Sequence, residues 1–336
     1  MKILVTGGAG YIGSTICSAL EDKGHTPIIL DSLISGRVEF TKNRIFYKGD
    51  IADEALLETI FKEHNDIVFT IHCAALMGIS KSVEYPFEYY TENISKSIKL
   101  FKKLNELGCN KIIFSSCSTM YDDDVETFMV TEKSPLKPKT PYSRTKYMTE
   151  MVLEDFCKAY NMKGISLRYF NLIGADPKMR SGMYSSNEST ILGKLVNVYK
   201  GRQENFKITG VNWATRDGSG IRDYIDIWDL ANAHVLAVEN FEKAFEKCGS
   251  DTPYLTINLG TGEGVTVKEL VNSFEKVTGT ILNKVETEPR LGDIGGAYAN
   301  IDLAKKMLNW VPEVSVDESI LNALKWDEVR VQTLKY

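Results

Sequence analysis

The chain has 336 residues, which suggests one large or two smaller domains and ample material for a core. With 43% hydrophobic and 25% charged residues it reads as a soluble globular protein, and a net charge of -5 argues against a nucleic-acid or membrane surface. An anionic small ligand stays open, because a few placed arginines hold a phosphate whatever the total charge.

The chain opens "MKILVTGG", straight into a strand, so no signal peptide is expected, and no apolar run approaches membrane-spanning length. Short β-branched runs predict strands at residues 2–5, 26–30, 44–47, 67–72, 111–114 and 164–168. Amphipathic stretches between them predict helices at 11–22, 54–63, 86–106 and 141–159. Such alternation builds an α/β fold with a parallel sheet covered on both faces. After about residue 172 the rhythm breaks. Residues 174–224 are rich in Gly, Ser, Asn and charge, with a helix near 190–199. A strand at 254–259 and helices near 267–277 and 303–308 follow. The six cysteines show no CxxC spacing and the four histidines no metal-like cluster, which predicts reduced thiols in a cytoplasmic protein and no metal.

"VTGGAGYIGS" lies between the first predicted strand and helix, and its Gly7, Gly10 and Gly13 fit a dinucleotide fingerprint. Glycines let the backbone approach a pyrophosphate, and the helix start at Tyr11, Ile12 and Gly13 supplies N–H donors. Asp31, followed by Ser32, ends the second strand 18 residues after Gly13, where a carboxylate meets the adenosine ribose and favours NAD over NADP. The alternative is a glycine-rich turn with an incidental aspartate. The expected division is a Rossmann-type, doubly wound NAD-binding domain at 1–172, to which elements near 211–260 return. A smaller mixed α/β substrate-binding region fills most of 173–336.

"PYSRTK" places Tyr142 and Lys146 four apart on one helical face. A phenol has a pKa near 10, so about one in a thousand is ionised at neutral pH. A nearby ammonium and a positive nicotinamide are expected to lower it by roughly three units, worth about 4 kcal/mol. The product is a base able to deprotonate an alcohol. The competing reading is an exposed amphipathic pair.

These motifs resemble the extended short-chain dehydrogenase/reductase family, and within it the UDP-glucose 4-epimerase group. The resemblance runs through "VTGGAGYIGS", "KGDIAD", "IHCAAL", "YPFEYYTEN", "FSS", "PYSRTK", "LRYFN", "GSGIRDYIDIWDLANAH", "INLGTGEGVTVKEL" and "PRLGD". It implies Tyr142 as base, Lys146 on the nicotinamide ribose, and Asp50 with Ile51 at the adenine. Cys73, Ala74, Ala75, Asn93, Ser115 and Phe170 would line the cofactor. Asn171, Thr190, Ile191, Lys207, Thr209, Arg222, Arg290 and Asp293 would hold a nucleotide sugar, with Arg222 and Arg290 on its diphosphate and Asp293 on the uridine ribose. Arg222 pairing with Asp223 or Asp226, and Arg290 as a plain loop arginine, are the alternatives.

Cys117 stands where the group usually carries serine or threonine, so Ser118 or Thr119 is expected to share the proton relay, or Cys117 to act as a spacer. An ordinary buried cysteine is the alternative. Met77, Glu92 and Thr209 also depart from the group's pattern, and Ala297 lies at a gate where a small residue leaves space for an N-acetyl group. The resemblance implies inversion at C4 of a UDP-linked hexose through a 4-keto sugar, and a homodimer formed by the helices at 86–106 and 141–159. The rivals are a 4,6-dehydratase, weakened because no acid lies between Ser115 and Tyr121, and a non-catalytic NAD-binding sensor or scaffold.

Overall fold

Seven β-branched runs assemble into one parallel sheet: Lys2–Thr6 (β1), Thr26–Asp31 (β2), Ile45–Lys48 (β3), Ile67–His72 (β4), Lys111–Ser115 (β5), Lys163–Tyr169 (β6) and Tyr254–Leu259 (β7). The computed structural model describes residues 1–122, 127–184, 190–249, 252–289 and 295–334. The strand order is β7-β6-β5-β4-β1-β2-β3. The chain winds outward from β1 to β3, then crosses back to β4 on the other side of β1. That reversal opens a crevice at the carboxyl ends of β1 and β4, where this class of sheet binds ligands.

Side chains on these strands alternate between two cores. Ile3 and Val5 of β1 face one layer with Ile29 and Ile71, covered by helix Tyr11–Asp22 (α1) and helix Ile227–Glu239. Leu4 faces the other with Ile28 and Leu30, covered by Leu57, Leu100 and Leu153 of helices Glu54–Glu63 (α2), Lys96–Glu106 (α3) and Pro141–Ala159 (α4). All these side chains are fully buried. Burial of each contributes about 1.5–3 kcal/mol.

The expected single helix at 86–106 is three pieces. Helix Pro86–Tyr90 runs into a π turn, Thr91–Ser95, and then into α3. Asn93 sits in that wider turn, and its side chain bonds Leu76, as described below. A third core lies on the other side of the crevice, where Leu192, Leu195, Phe206, Ile208, Leu270, Phe274 and Ile320 meet. Helices Ile191–Tyr199, Val267–Thr278 and Val316–Thr333 frame it. The small sheet of Tyr224–Asp226 on Asn171–Ile173 joins it to the main body, and Lys284–Thr287 pairs with Phe206–Thr209 within it.

Candidate active site

The glycine cradle closes on itself. Gly7 has φ +73°, and a Cβ there would stand 2.7 Å from Ala74 N. A Cβ on Gly13 would stand 2.3 Å from Gly7 O. Gly10 N–H donates to Gly7 O at 3.1 Å and caps α1 without a side chain. The first-turn N–H groups, from Tyr11, Ile12 and Gly13, are those a helix leaves without intrahelical acceptors. Tyr11 Oη reaches across to donate to Gly174 O at 2.8 Å.

Asp31 ends β2, accepting from Ala9 N at 3.0 Å and Leu33 N at 2.8 Å. Burial pushes its carboxyl up, against the pull of those two donors. Ser32 follows, half-buried. Gly49 N donates to Asp31 O, which sets Asp50 beside this end. Asp50 accepts from Ala52 N at 2.9 Å and from Lys96 Nζ at 2.5 Å, while Lys96 also reaches Glu92 at 2.7 Å. Ile51 is buried in the core. Close-packed glycines, an uncapped helix start and a carboxylate ending β2 fit a dinucleotide, with its pyrophosphate at α1 and its adenosine ribose at Asp31.

Cys73, Ala74 and Ala75 continue β4, half-buried along the crevice. Asn93, in the π turn, stands against this wall. It is buried, accepts from Leu76 N at 2.7 Å, and donates to Leu76 O at 3.1 Å and Thr145 Oγ1 at 3.0 Å. It pins the crevice wall from behind.

The small polar residues after β5 are anchored on alternating sides. Ser115 Oγ meets His234 Nε2 at 2.9 Å and Cys73 Sγ at 3.2 Å, and its carbonyl accepts from Lys146 Nζ at 2.8 Å. Ser116 Oγ turns the other way and donates to Glu150 Oε1 at 2.5 Å. Glu150 is held by Arg168, whose Nη2 lies 2.6 Å away, and Arg168 also donates to Tyr121 Oη at 3.1 Å. Cys117 touches the Tyr142 phenol and lies 3.0 Å from Thr119 Oγ1. Thr119 is exposed; Ser118 is half-buried, its N–H on Tyr169 O.

A capping box, Thr140 with Ser143, and Pro141 in the first turn fix the start of α4, so Tyr142 and Lys146 emerge on one face. The phenol's own surroundings, before any nicotinamide is bound, oppose its ionisation. Burial pushes the Tyr142 phenol well up, helped by Cys117, Tyr169 and Tyr89. Burial also pulls the Lys146 ammonium down. The ammonium lies on Ser115 O and 4.9 Å from the Phe114 ring centre.

On the far side, Thr190 caps helix Ile191–Tyr199 by accepting from Gly193 N at 3.3 Å, and Ile191 is half-buried. Lys207 is exposed and Thr209 half-buried on their strand; Phe170 is half-buried and Asn171 exposed after β6. Arg222 Nη1 donates to Ile221 O at 2.7 Å and Gly295 O at 3.1 Å. Its suggested acidic partners have other work. Asp223 accepts from Thr261 N and Ala299 N, and Asp226 from Trp228 N. Arg290 and Asp293 lie outside the described residues.

Residues 3–249 match the family model described as the NAD dependent epimerase/dehydratase family. The chain belongs to that family. This epimerase/dehydratase chain is 38% identical to the UDP-glucose 4-epimerase of Halalkalibacterium halodurans over 97% of its own length and 95% of that protein. Its backbone is similar to the structure of UDP-glucose-4-epimerase from Stenotrophomonas maltophila with bound NAD and formylated UDP-arabinopyranose. The TM-score is 0.91 at 31% identity, covering 99% of both chains. It is also similar to the Bifidobacterium longum UDP-glucose 4-epimerase in complex with NAD+ and UDP, with a TM-score of 0.87 at 31% identity, covering 98% of both chains.

Several site residues of this family member escaped the sequence reading. The Tyr89 ring stands edge-on to Tyr142, with centroids 6.5 Å apart. Glu150, Arg168 and His234 are buried charged or titratable groups beneath the shelf of small polar residues at the end of β5. Glu150 carried one signal, its position one helical turn after Lys146.

Proposed function

We propose that this chain is an NAD-dependent epimerase that inverts C4 of a UDP-linked hexose, interconverting UDP-glucose and UDP-galactose. The observation that carries the reading is the meeting of Tyr142, Cys117 and Lys146 at the end of β5, beside a dinucleotide cradle. Bound NAD supplies a reversible acceptor for the C4 hydrogen with its electron pair. Tyr142 takes the 4-hydroxyl proton and returns it after the 4-keto sugar has turned over. Burial pushes the phenol up, so positive charge entering the crevice is what favours its ionised form. Cys117 shares the proton with Thr119, and Lys146 holds the ribose side while anchored on Ser115 O.

Arg222, Thr190, Ile191 and Asn171, with Arg290 and Asp293, form the nucleotide side. Ala297 is half-buried and pairs in register with Arg222; its small side chain extends the substrate range to N-acetylated hexoses. Exposed Ile98 on α3 and Met148 and Met151 on α4 support a homodimer through those helices. The six free thiols support the cytoplasm as the compartment.

The purified protein, without added NAD, is expected to convert UDP-galactose to UDP-glucose, and Tyr142→Phe to lower that rate by about 1,000-fold. UDP-N-acetylgalactosamine should turn over comparably; its strict rejection ends the N-acetyl extension. A folded, NAD-loaded protein that leaves UDP-galactose unchanged refutes the epimerase reading. A 4-keto-6-deoxy product moves it to the dehydratase.

A further inference from the structure

His234 is fully buried at the centre of helix Ile227–Glu239, and nothing in the chemistry above uses it. Its two ring nitrogens have different partners. Nδ1 lies 2.9 Å from Leu230 O, a carbonyl that can only accept, so Nδ1 carries the proton. Nε2 lies 2.9 Å from Ser115 Oγ and, being unprotonated, must accept from that hydroxyl. Burial pushes the imidazole down to about 4, which keeps it neutral and this tautomer in place.

The consequence passes to the next atoms. With its proton committed to His234, Ser115 Oγ has only lone pairs left for Cys73, so the thiol at 3.2 Å is the donor. The side-chain rotor of Ser115 is thereby fixed from both sides. The same residue's carbonyl carries Lys146 Nζ at 2.8 Å, and two residues later Cys117 touches Tyr142. We propose that His234 is a positioning residue for the epimerisation. Through Ser115 it sets the place of the Lys146 ammonium and of the shelf that meets Tyr142. This rests on the epimerase reading and adds to it a residue 119 positions along the chain from the serine it orients.

Three variants test it against wild-type holoenzyme, with folding followed by circular dichroism and bound NAD by mass spectrometry. His234→Leu removes this acceptor and frees the Ser115 hydroxyl to turn toward Cys73 Sγ or the Tyr169 phenol, which also touches it. A displacement of about 1 Å in the reacting groups lowers turnover by about 100-fold. The expected result is that loss in kcat, with KM for UDP-galactose and NAD content unchanged. His234→Gln restores an acceptor near the Nε2 position and is expected to recover most of the rate. His234→Asn reaches only the Nδ1 position and is expected to behave like His234→Leu.

A folded, NAD-loaded His234→Leu with kcat within twofold of wild type overturns the proposal. If His234→Leu does not fold, the other pair decides. His234→Gln at least tenfold faster than His234→Asn supports it, and equal rates overturn it. Wild-type protein inactive on UDP-galactose removes the epimerase reading itself, a failure distinct from equal activity among variants.

Discussion

Replacing Glu150 with leucine removes the carboxylate that holds Arg168 through Nε and Nη2 and accepts from Ser116 Oγ. Both members of the ion pair are almost wholly buried, with side-chain exposures of 4% for Glu150 and 5% for Arg168. Burial opposes the arginine's charge, and Glu150 outweighs that and holds it ionised. Loss of one partner therefore strands a cation in the core, at a cost of about 3–5 kcal/mol. The double variant Glu150→Leu with Arg168→Met removes the stranded charge. It still leaves Ser116 and Tyr121 short of a partner each, worth about 1 kcal/mol apiece. The double variant is thus expected to be about 2 kcal/mol more stable than Glu150→Leu alone. Urea unfolding at fixed protein and NAD concentrations measures this. A single variant within about 1 kcal/mol of wild type, or a double variant no more stable than the single, refutes the claim that this pair is a matched buried charge.

Three more predictions concern separate parts of the molecule. Asp226 caps its helix through Trp228 N, with its second oxygen buried against Gly174, and burial pushes its carboxyl up to about 7. A raised acid favours the folded state at low pH, and that advantage is lost as pH climbs through the folded value. Asp226→Asn should therefore gain stability over wild type by about 1.4 kcal/mol per unit between about pH 4 and pH 7, then level off; a pH-independent difference in urea midpoints contradicts this. Gly13→Ala drives a Cβ to 2.3 Å from Gly7 O, backbone that cannot rotate away. Strain of roughly 1–3 kcal/mol should weaken NAD binding about tenfold or more, and undiminished NAD in the purified variant argues against the cradle. Cys117→Ser keeps the contact to Tyr142 with a stronger donor, so turnover should hold or rise; a folded, NAD-loaded, inactive variant shows that the thiol itself is required.

Local pattern carried the sheet. Helices Tyr11–Asp22, Glu54–Glu63 and Pro141–Ala159 fall where periodicity, capping residues and Pro141 place them. The π turn at Thr91–Ser95 was invisible, because no residue preference marks it and the Asn93–Leu76 contact it carries spans 17 residues. The last long helix, Val316–Thr333, was missed because Ser319, Asn322, Asp327 and Arg330 are polar yet buried, which hides the apolar stripe. Among the site residues, glycines, Asp31 and the Tyr142–Lys146 spacing were legible because their chemistry is local. Glu150 and Arg168, and Ser115 and His234, are pairs 18 and 119 residues apart, and no spacing rule joins them. Nor did any spacing show that Lys146 would settle on Ser115 O or that burial would push the Tyr142 phenol up.

The central claim, that Tyr142 deprotonates a sugar alcohol whose C4 hydrogen leaves and returns within one site, has a direct isotopic test. UDP-galactose deuterated at C4 is converted by the wild-type protein in ordinary water, and the product is read by NMR and mass spectrometry. The account predicts UDP-glucose that keeps the deuterium at C4. Product carrying solvent hydrogen at C4 would contradict it.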